Sequence, residues 1–428
     1  VVLAACLAGL PAGAARAEFN ADETAMLVWI DTQTAAIEAL IEDLVNVNSG
    51  TMNHDGVRQV GEMLGPLFSR VGFDVEWIEL PLEVDRAGHL FARHAGDRGR
   101  KVLLIGHLDT VFERDDPFQT FVREGTWARG PGVDDMKSGN TIILYALMAM
   151  AEVGAIEGAQ IVVALTGDEE SAGDPLEVSR RDLIEAGRWA DVALEFESGI
   201  RDGEAEWATV SRRSSSGWTL EVRGRQAHSS QIFTDDVGAG AIFEAARILA
   251  AFYDEIRGEP YLSFNAGTIL GGTEVAYDAA ATRGQAFGKT NVVPSYAIVD
   301  GGIRTLSDEQ LERVRGAMRD VVARSLPQTE AMVTFEDGYP AMPPTDGNRR
   351  LQQMLSDINV ELGREPMPEL DPSRRGAADI SFVAPYADSL AGLGGYGEGS
   401  HSPQERLDLE SVPLAVKRAA LLIYRLTR

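Results

Sequence analysis

Cysteine is almost missing from this chain of 428 residues: Cys6 is the only one. A lone thiol has no partner within the chain, so no internal disulfide holds the fold, and any metal site must be built from nitrogen and oxygen ligands. Lysine is nearly as scarce, at four residues (Lys101, Lys137, Lys289, Lys417), and arginine fills the basic role. The 39 basic side chains are far outnumbered by 66 acidic ones, for a formal net charge of -27. Such a surface repels phosphate backbones, which argues against nucleic acid as a partner. Internal repeats, low-complexity tracts and the Walker spacing of a phosphate loop are absent too. The one apolar stretch at the N-terminus is too short to cross a bilayer comfortably.

What is present is ordinary globular composition, 44% hydrophobic and 25% charged. The length exceeds one ordinary core, so two domains are expected. "VVLAACLAGLPAGAARAEFN" is apolar and small, then meets Ala15-Arg16-Ala17 ahead of Glu18, like the apolar region and cleavage site of a secretory signal. "LAAC" around Cys6 also resembles a bacterial lipoprotein box, but the apolar continuation favours cleavage after Ala17 over lipid anchoring. A periplasmic or secreted bacterial protein is the expectation.

Apolar residues recur at helical spacing across residues 21–47. "KVLLIGHLDT", "AQIVVALTG" and "DVALEFE" read as continuous apolar strands, and "SGNTIILYALMAMAEVG" as a helix apolar enough to lie inside. Strands alternating with helices predict an α/β fold with a mainly parallel sheet covered on both faces. At residues 211–216 the texture changes, and "SRRSSSG" reads as a polar hinge. Strand, helix, two strands, helix and strand follow, which suggests a small inserted α+β sandwich of ferredoxin-like type. "YPAMPPTDG" reads as the return linker. The expected organisation is a signal segment (1–17), a discontinuous catalytic domain (18–211 and 340–428) and an inserted lid or dimerisation domain (212–339).

Candidate ligands gather at strand ends: His107 and Asp109 in "LLIGHLDTV", Asp134 and Asp135 in "GPGVDDMKSG", Glu169 and Glu170 in "ALTGDEESAG", Glu197 in "ALEFESG", and His401 in "GEGSHSPQE". In parallel α/β sheets, sites form outside the carboxyl ends of the strands, so these segments can converge. Imidazoles with carboxylates suit zinc. Two histidines and several carboxylates fit two metals, which need a bridging carboxylate. One of two adjacent glutamates can bind metal while its neighbour stays free as a base.

These motifs, in this order from His107 to Glu405, resemble the dinuclear zinc exopeptidases and amidohydrolases of peptidase family M20, which include glutamate carboxypeptidases, succinyl-diaminopimelate desuccinylase and acetylornithine deacetylase. The resemblance implies two Zn2+ ions, replaceable by Co2+ or Mn2+. His107 and Glu197 would ligate one, Glu170 and His401 the other, and Asp135 would bridge. Asp134 falls at a non-ligand position, so its loss is expected to leave metal occupancy intact. Asp109 would orient His107, and Glu169 would be the general base. A glutamate at 197, where aminopeptidases of the group tend to carry aspartate, points to a carboxypeptidase or deacylase. In the lid, His228 would reach a partner subunit's active site, implying a homodimer. Asn291 and Arg304 would bind substrate carboxylate, although "DGGIR" departs from the family's Asp-x-Arg spacing. The implied activity is release of a C-terminal, glutamate-type residue from small peptides or N-acyl amino acids. The alternatives are an N-acyl amino acid deacylase or desuccinylase, and a non-catalytic relative that binds peptides. His54, His89 and His94 lack partner motifs and read as packing or surface residues.

Overall fold

The structure is a computed structural model that describes residues 19–279 and 281–428. The expected signal segment and Cys6 lie outside the described residues. Along the chain run strands β1 (Asp74–Ile78), β2 (His89–His94), β3 (Arg98–His107), β4 (Ala159–Thr166) and β5 (Val192–Glu195). The inserted region contributes β6 (Ser215–Gly224), β7 (Ser263–Gly272), β8 (Tyr296–Arg304) and β9 (Thr329–Tyr339), and β10 (Asp388–Leu390) comes after it.

The main sheet has the order β1-β2-β4-β3-β5-β10. β4, β3, β5 and β10 pair in parallel, whereas β2 runs antiparallel to both of its neighbours, so the sheet is mixed with one reversed strand. The middle strands are buried on both faces, which explains why Val102, Leu103, Leu104 and Ile105 form an unbroken apolar run rather than an alternating one. The helix Ser138–Glu152 packs against the C-terminal helix Ser411–Leu426 and is buried nearly all round, in keeping with its apolar sequence. Register places His107 opposite Thr166 and Ile105 opposite Glu195. The carboxyl ends of β3, β4 and β5 therefore open at one edge, where β3 ends on His107 and the loops after β4 and β5 carry Glu169, Glu170 and Glu197.

The inserted strands form a separate antiparallel sheet, ordered β7-β8-β6-β9. Strand β6 alternates strictly, and Trp218, Leu220 and Val222 turn inward. They meet Ile248 and Phe252 of the helix Ala241–Glu255 and Val314 and Met318 of the helix Asp308–Val322. Strand order and helix placement match the expected ferredoxin-like sandwich. A hairpin absent from the sequence reading, Glu274–Asp278 with Arg283–Phe287, interrupts the passage from β7 to β8.

One expectation needs correcting. The polar stretch read as a hinge is not solvated: Ser211, Arg212 and Ser214 are buried. Arg212 and Met342 exchange two backbone hydrogen bonds of 2.9 Å, so the outgoing and returning crossings pair with each other. Polarity there reflects a buried ion pair, described next.

Candidate metal centre and active site

The glycine-rich turn before the helix Ser138–Glu152 owes its shape to two devices. Gly132 has φ of 71°, and a Cβ there would fall 2.4 Å from Thr110 Cγ2, so only glycine fits. Glu405, buried and 270 residues further on, accepts the backbone N–H groups of Gly132, Asp134 and Asp135 at 2.9–3.0 Å. The turn so fixed presents Asp135 between two imidazoles. Its Oδ1 lies 3.2 Å from His107 Nε2, and its Oδ2 lies 3.2 Å from His401 Nε2.

His107 turns its other nitrogen to Asp109, 3.1 Å from the carbonyl oxygen and 3.3 Å from Oδ1. Asp109 is fully buried and does more than orient that ring. Its carboxylate also accepts Thr51 Oγ1 at 2.6 Å and the backbone N–H groups of Glu169 and Glu170 at 3.1 Å. One carboxylate thus sets both the histidine and the glutamate pair. Glu170 Oε2 lies 3.1 Å from His401 Nε2, while its Oε1 is buried with no hydrogen-bond partner among the described residues. Ligand atoms of His107, Glu169 and Glu197 lie within 4.8 Å of one another, as do those of His107, Asp135 and Glu170. His401 itself sits at φ of 62°, an uncommon conformation for a non-glycine residue and one often found at functional sites.

The run Asp168-Glu169-Glu170 divides. Asp168 turns away and is held by Arg180 Nη1 at 2.6 Å, Ser179 Oγ at 2.6 Å and Gly173 N at 2.8 Å. Arg180 also binds Asp379 at 2.7 Å and the Tyr339 hydroxyl at 2.5 Å, and Tyr339 donates to the carbonyl of Glu169 at 2.8 Å. Sequence reading missed this network because its members are dispersed along the chain. Arg212 was missed for the same reason: it grips Glu195 at 2.5–2.7 Å and Glu197 at 2.5 Å. Arg375 adds a longer contact of 3.5 Å to Glu197.

The electrostatics are those of acids packed for a cation. Burial raises Glu169 well above the ordinary carboxylate range, and the Glu197 charge adds to it. Burial and the Asp135 charge take Glu170 to about 7. Hydrogen bonds to Asp135 and Glu170 lift His401 to about 11. Burial opposes protonation of His107, but Asp109 and Asp135 outweigh it and hold that imidazole high too. Borderline nitrogen donors, hard oxygen donors and an orphaned buried Glu170 oxygen fit a divalent metal such as zinc.

A model of peptidase family M20/M25/M40 matches residues 103–425. The chain belongs to that family. It is 26% identical over 405 residues to carboxypeptidase G2 of Pseudomonas sp. (strain RS-16), spanning 92% of this chain and 89% of that one. It is 27% identical over 388 residues to the succinyl-diaminopimelate desuccinylase of Dinoroseobacter shibae, spanning 88% and 95% respectively. The fold is similar to a tripeptidase from Staphylococcus aureus, with a TM-score of 0.70 and 19% identity over 92% of this chain and 99% of that one. The protein is thus an M20-family peptidase or amidohydrolase with an α/β domain and an inserted antiparallel domain.

Among the described residues, no hydrogen bond or ion pair joins the candidate residues of the insert to this M20 centre. His228 is exposed, its Nδ1 is 2.8 Å from Ser230 Oγ, and it pairs across a β-bridge with Val292 beside Asn291. Among the described residues, neither His228 nor Asn291 makes a side-chain hydrogen bond or ion pair with the metal-centre residues. Arg304 is exposed at the end of β8, its side chain without a hydrogen bond or ion pair among the described residues, and its Nη1 lies 3.5 Å from where a Cβ on Gly376 would stand. His54 and His94 are half-buried, and His89 is buried with Nε2 2.9 Å from the Ser179 carbonyl oxygen, as packing residues should be.

Proposed function

We propose that this M20 member is a dinuclear zinc-dependent amide hydrolase that releases a C-terminal amino acid of glutamate type from small peptides or N-acyl amino acids. The observation that carries the reading is Asp135, whose two oxygens each face a different histidine, the arrangement that a bridging carboxylate requires. His107 and Glu197 would hold one ion and Glu170 and His401 the other. Two zinc ions held in this way supply Lewis-acid polarisation of a carbonyl and acidify water.

The remaining work belongs to the chain. Asp109 fixes the His107 ring and, through two N–H groups, the direction of Glu169 and Glu170. The Glu169 carboxylate takes the proton of the attacking water and returns it to the leaving amine. Arg212 and Arg375 hold the Glu197 carboxylate against the repulsion of its neighbours. Arg304 is a cation without a counter-ion among the described residues of a strongly acidic chain, suited to two parallel hydrogen bonds with a substrate α-carboxylate. Asn291 would join Arg304 at that carboxylate, and His228 would reach the active site of a second subunit in a homodimer. Export to the periplasm belongs to the same proposal and rests on the signal-like N-terminus.

Similarity to a desuccinylase favours a second reading, an N-acyl amino acid deacylase with the same centre. A substrate panel tests both readings. Free α-carboxylates should be cleaved orders of magnitude better than their amides, and Arg304→Ala should lose most of that discrimination. Equal cleavage of amidated and free substrates would refute the carboxypeptidase reading. A preference for N-succinyl or N-acetyl amino acids over peptidyl glutamates would select the deacylase.

A further inference from the structure

Asp134 is buried beside the bridging Asp135, yet it forms no hydrogen bond or ion pair with a histidine among the described residues. Its Oδ2 accepts the hydroxyl of Ser198 at 2.7 Å and that of Ser400 at 3.1 Å. Those two serines are not arbitrary neighbours: Ser198 follows Glu197 and Ser400 precedes His401. Its own amide is held by Glu405 at 2.9 Å. The three segments that bring Asp135, Glu197 and His401 together therefore meet on one carboxylate. The backbone is fitted to it as well, since a Cβ on Gly397 would lie 2.0–2.4 Å from the Asp134 carboxylate atoms.

We propose that Asp134 is a positioning residue that latches the loop of Glu197 to the loop of His401, and so couples the two halves of the metal centre. Contrary to the expectation drawn from its non-ligand position, removing it loosens both halves at once. Each serine serves one half: Ser198 restrains the backbone of Glu197, and Ser400 restrains that of His401. An acceptor oxygen is what the serines need, so an asparagine in its place preserves the latch. Partners that orient metal ligands commonly contribute about 10–100-fold in metal affinity or activity. The inference rests on the metal-centre reading, but the latch itself exists in the metal-free chain and is measurable there.

The test uses the full chain stripped of metal. Amide hydrogen exchange is followed across residues 197–199 and 399–401, and Zn2+ is then titrated in against a chromophoric chelator. Asp134→Ala is expected to speed exchange in both loops and to weaken both zinc-binding steps by about 10–100-fold. Ser198→Ala should speed exchange in the first loop alone and Ser400→Ala in the second alone, each weakening one step. The double serine variant should reproduce Asp134→Ala, and Asp134→Asn should restore protection. Unchanged exchange in Asp134→Ala, or serine variants that each disturb both loops alike, would overturn the proposal. Should Asp134→Ala fail to fold, the serine variants and Asp134→Asn carry the same discrimination. A wild-type chain that binds no zinc refutes the metal reading alone, because the exchange comparison still decides the latch.

Discussion

Arg212 offers the sharpest energetic test of how the centre is built. Its side chain is 4% exposed and joins Glu195 and Glu197, at 2% and 11%. Replacing it with methionine keeps most of the volume but strands Glu195, while Glu197 retains only Arg375 at 3.5 Å. Breaking a buried ion pair in this way costs about 3–5 kcal/mol. How much of this falls on Glu195 is set by pH, because Glu195 can escape by binding a proton. Burial outweighs Arg212 and pushes the Glu195 carboxyl up to about 8 in the intact protein, so at pH 7 it already carries a proton. Removing Arg212 raises it further above its unfolded value. Both proteins lose stability at Glu195 as pH rises above about 4.3, and above about pH 8 that loss levels off in the intact protein alone. The share of the deficit owed to Glu195 should therefore be near zero at pH 7 and about 1.4 kcal/mol at pH 9. Urea denaturation of the metal-free proteins at both pH values measures it. Adding Glu195→Gln to the variant should abolish the growth between pH 7 and pH 9. A deficit equal at the two pH values would show that Glu195 is not the stranded charge.

Other outcomes follow from the same geometry. Glu169→Gln should retain metal, yet lose about 10²–10⁴-fold in kcat because the water has no proton acceptor; near-normal turnover would remove Glu169 from the mechanism. Zinc uptake must displace protons from both imidazoles, since His401 is lifted to about 11 and His107 is held high. Calorimetry in buffers of different ionisation enthalpy should therefore show proton release and tighter binding as pH rises from 6 to 8, and a pH-independent affinity would contradict it. Mixing inactive His228→Ala with inactive Glu169→Gln chains should recover part of the activity if the lid acts across a two-fold interface. Demonstrated subunit exchange without recovery would confine His228 to its own chain.

Much of this was legible in the sequence, for identifiable reasons. His107, Glu169, Glu170 and Glu197 each follow a continuous apolar strand, and parallel strands bring their carboxyl ends to one edge. The ferredoxin-like insert was legible from its order of strands and helices. What escaped was pairing at a distance. "SRRSSSG" has the composition of a solvated hinge, but Arg212 is buried because Glu195 and Glu197 wait on a different strand. Asp168 stands beside Glu169 and Glu170 in the sequence, but it is held away from them by Arg180, which it shares with Asp379. Glu405 shapes the turn of Asp135 from 270 residues away, a relation no local pattern encodes. Asp134 was read only as a non-ligand, because its hydrogen bonds to Ser198 and Ser400 join segments far apart in the chain and leave no local signature.

The central claim is that this M20 chain hydrolyses amides with two metals on the His107, Asp135, Glu170, Glu197 and His401 set. Its most direct test is to strip the wild-type chain of metal and add Zn2+ stepwise. Bound ions per chain are counted while cleavage of an N-acyl glutamate is followed at each step. The account predicts no cleavage in the stripped chain and full recovery as occupancy reaches two ions. Full activity without metal, or recovery complete at a single ion in a chain that binds no second, would contradict it.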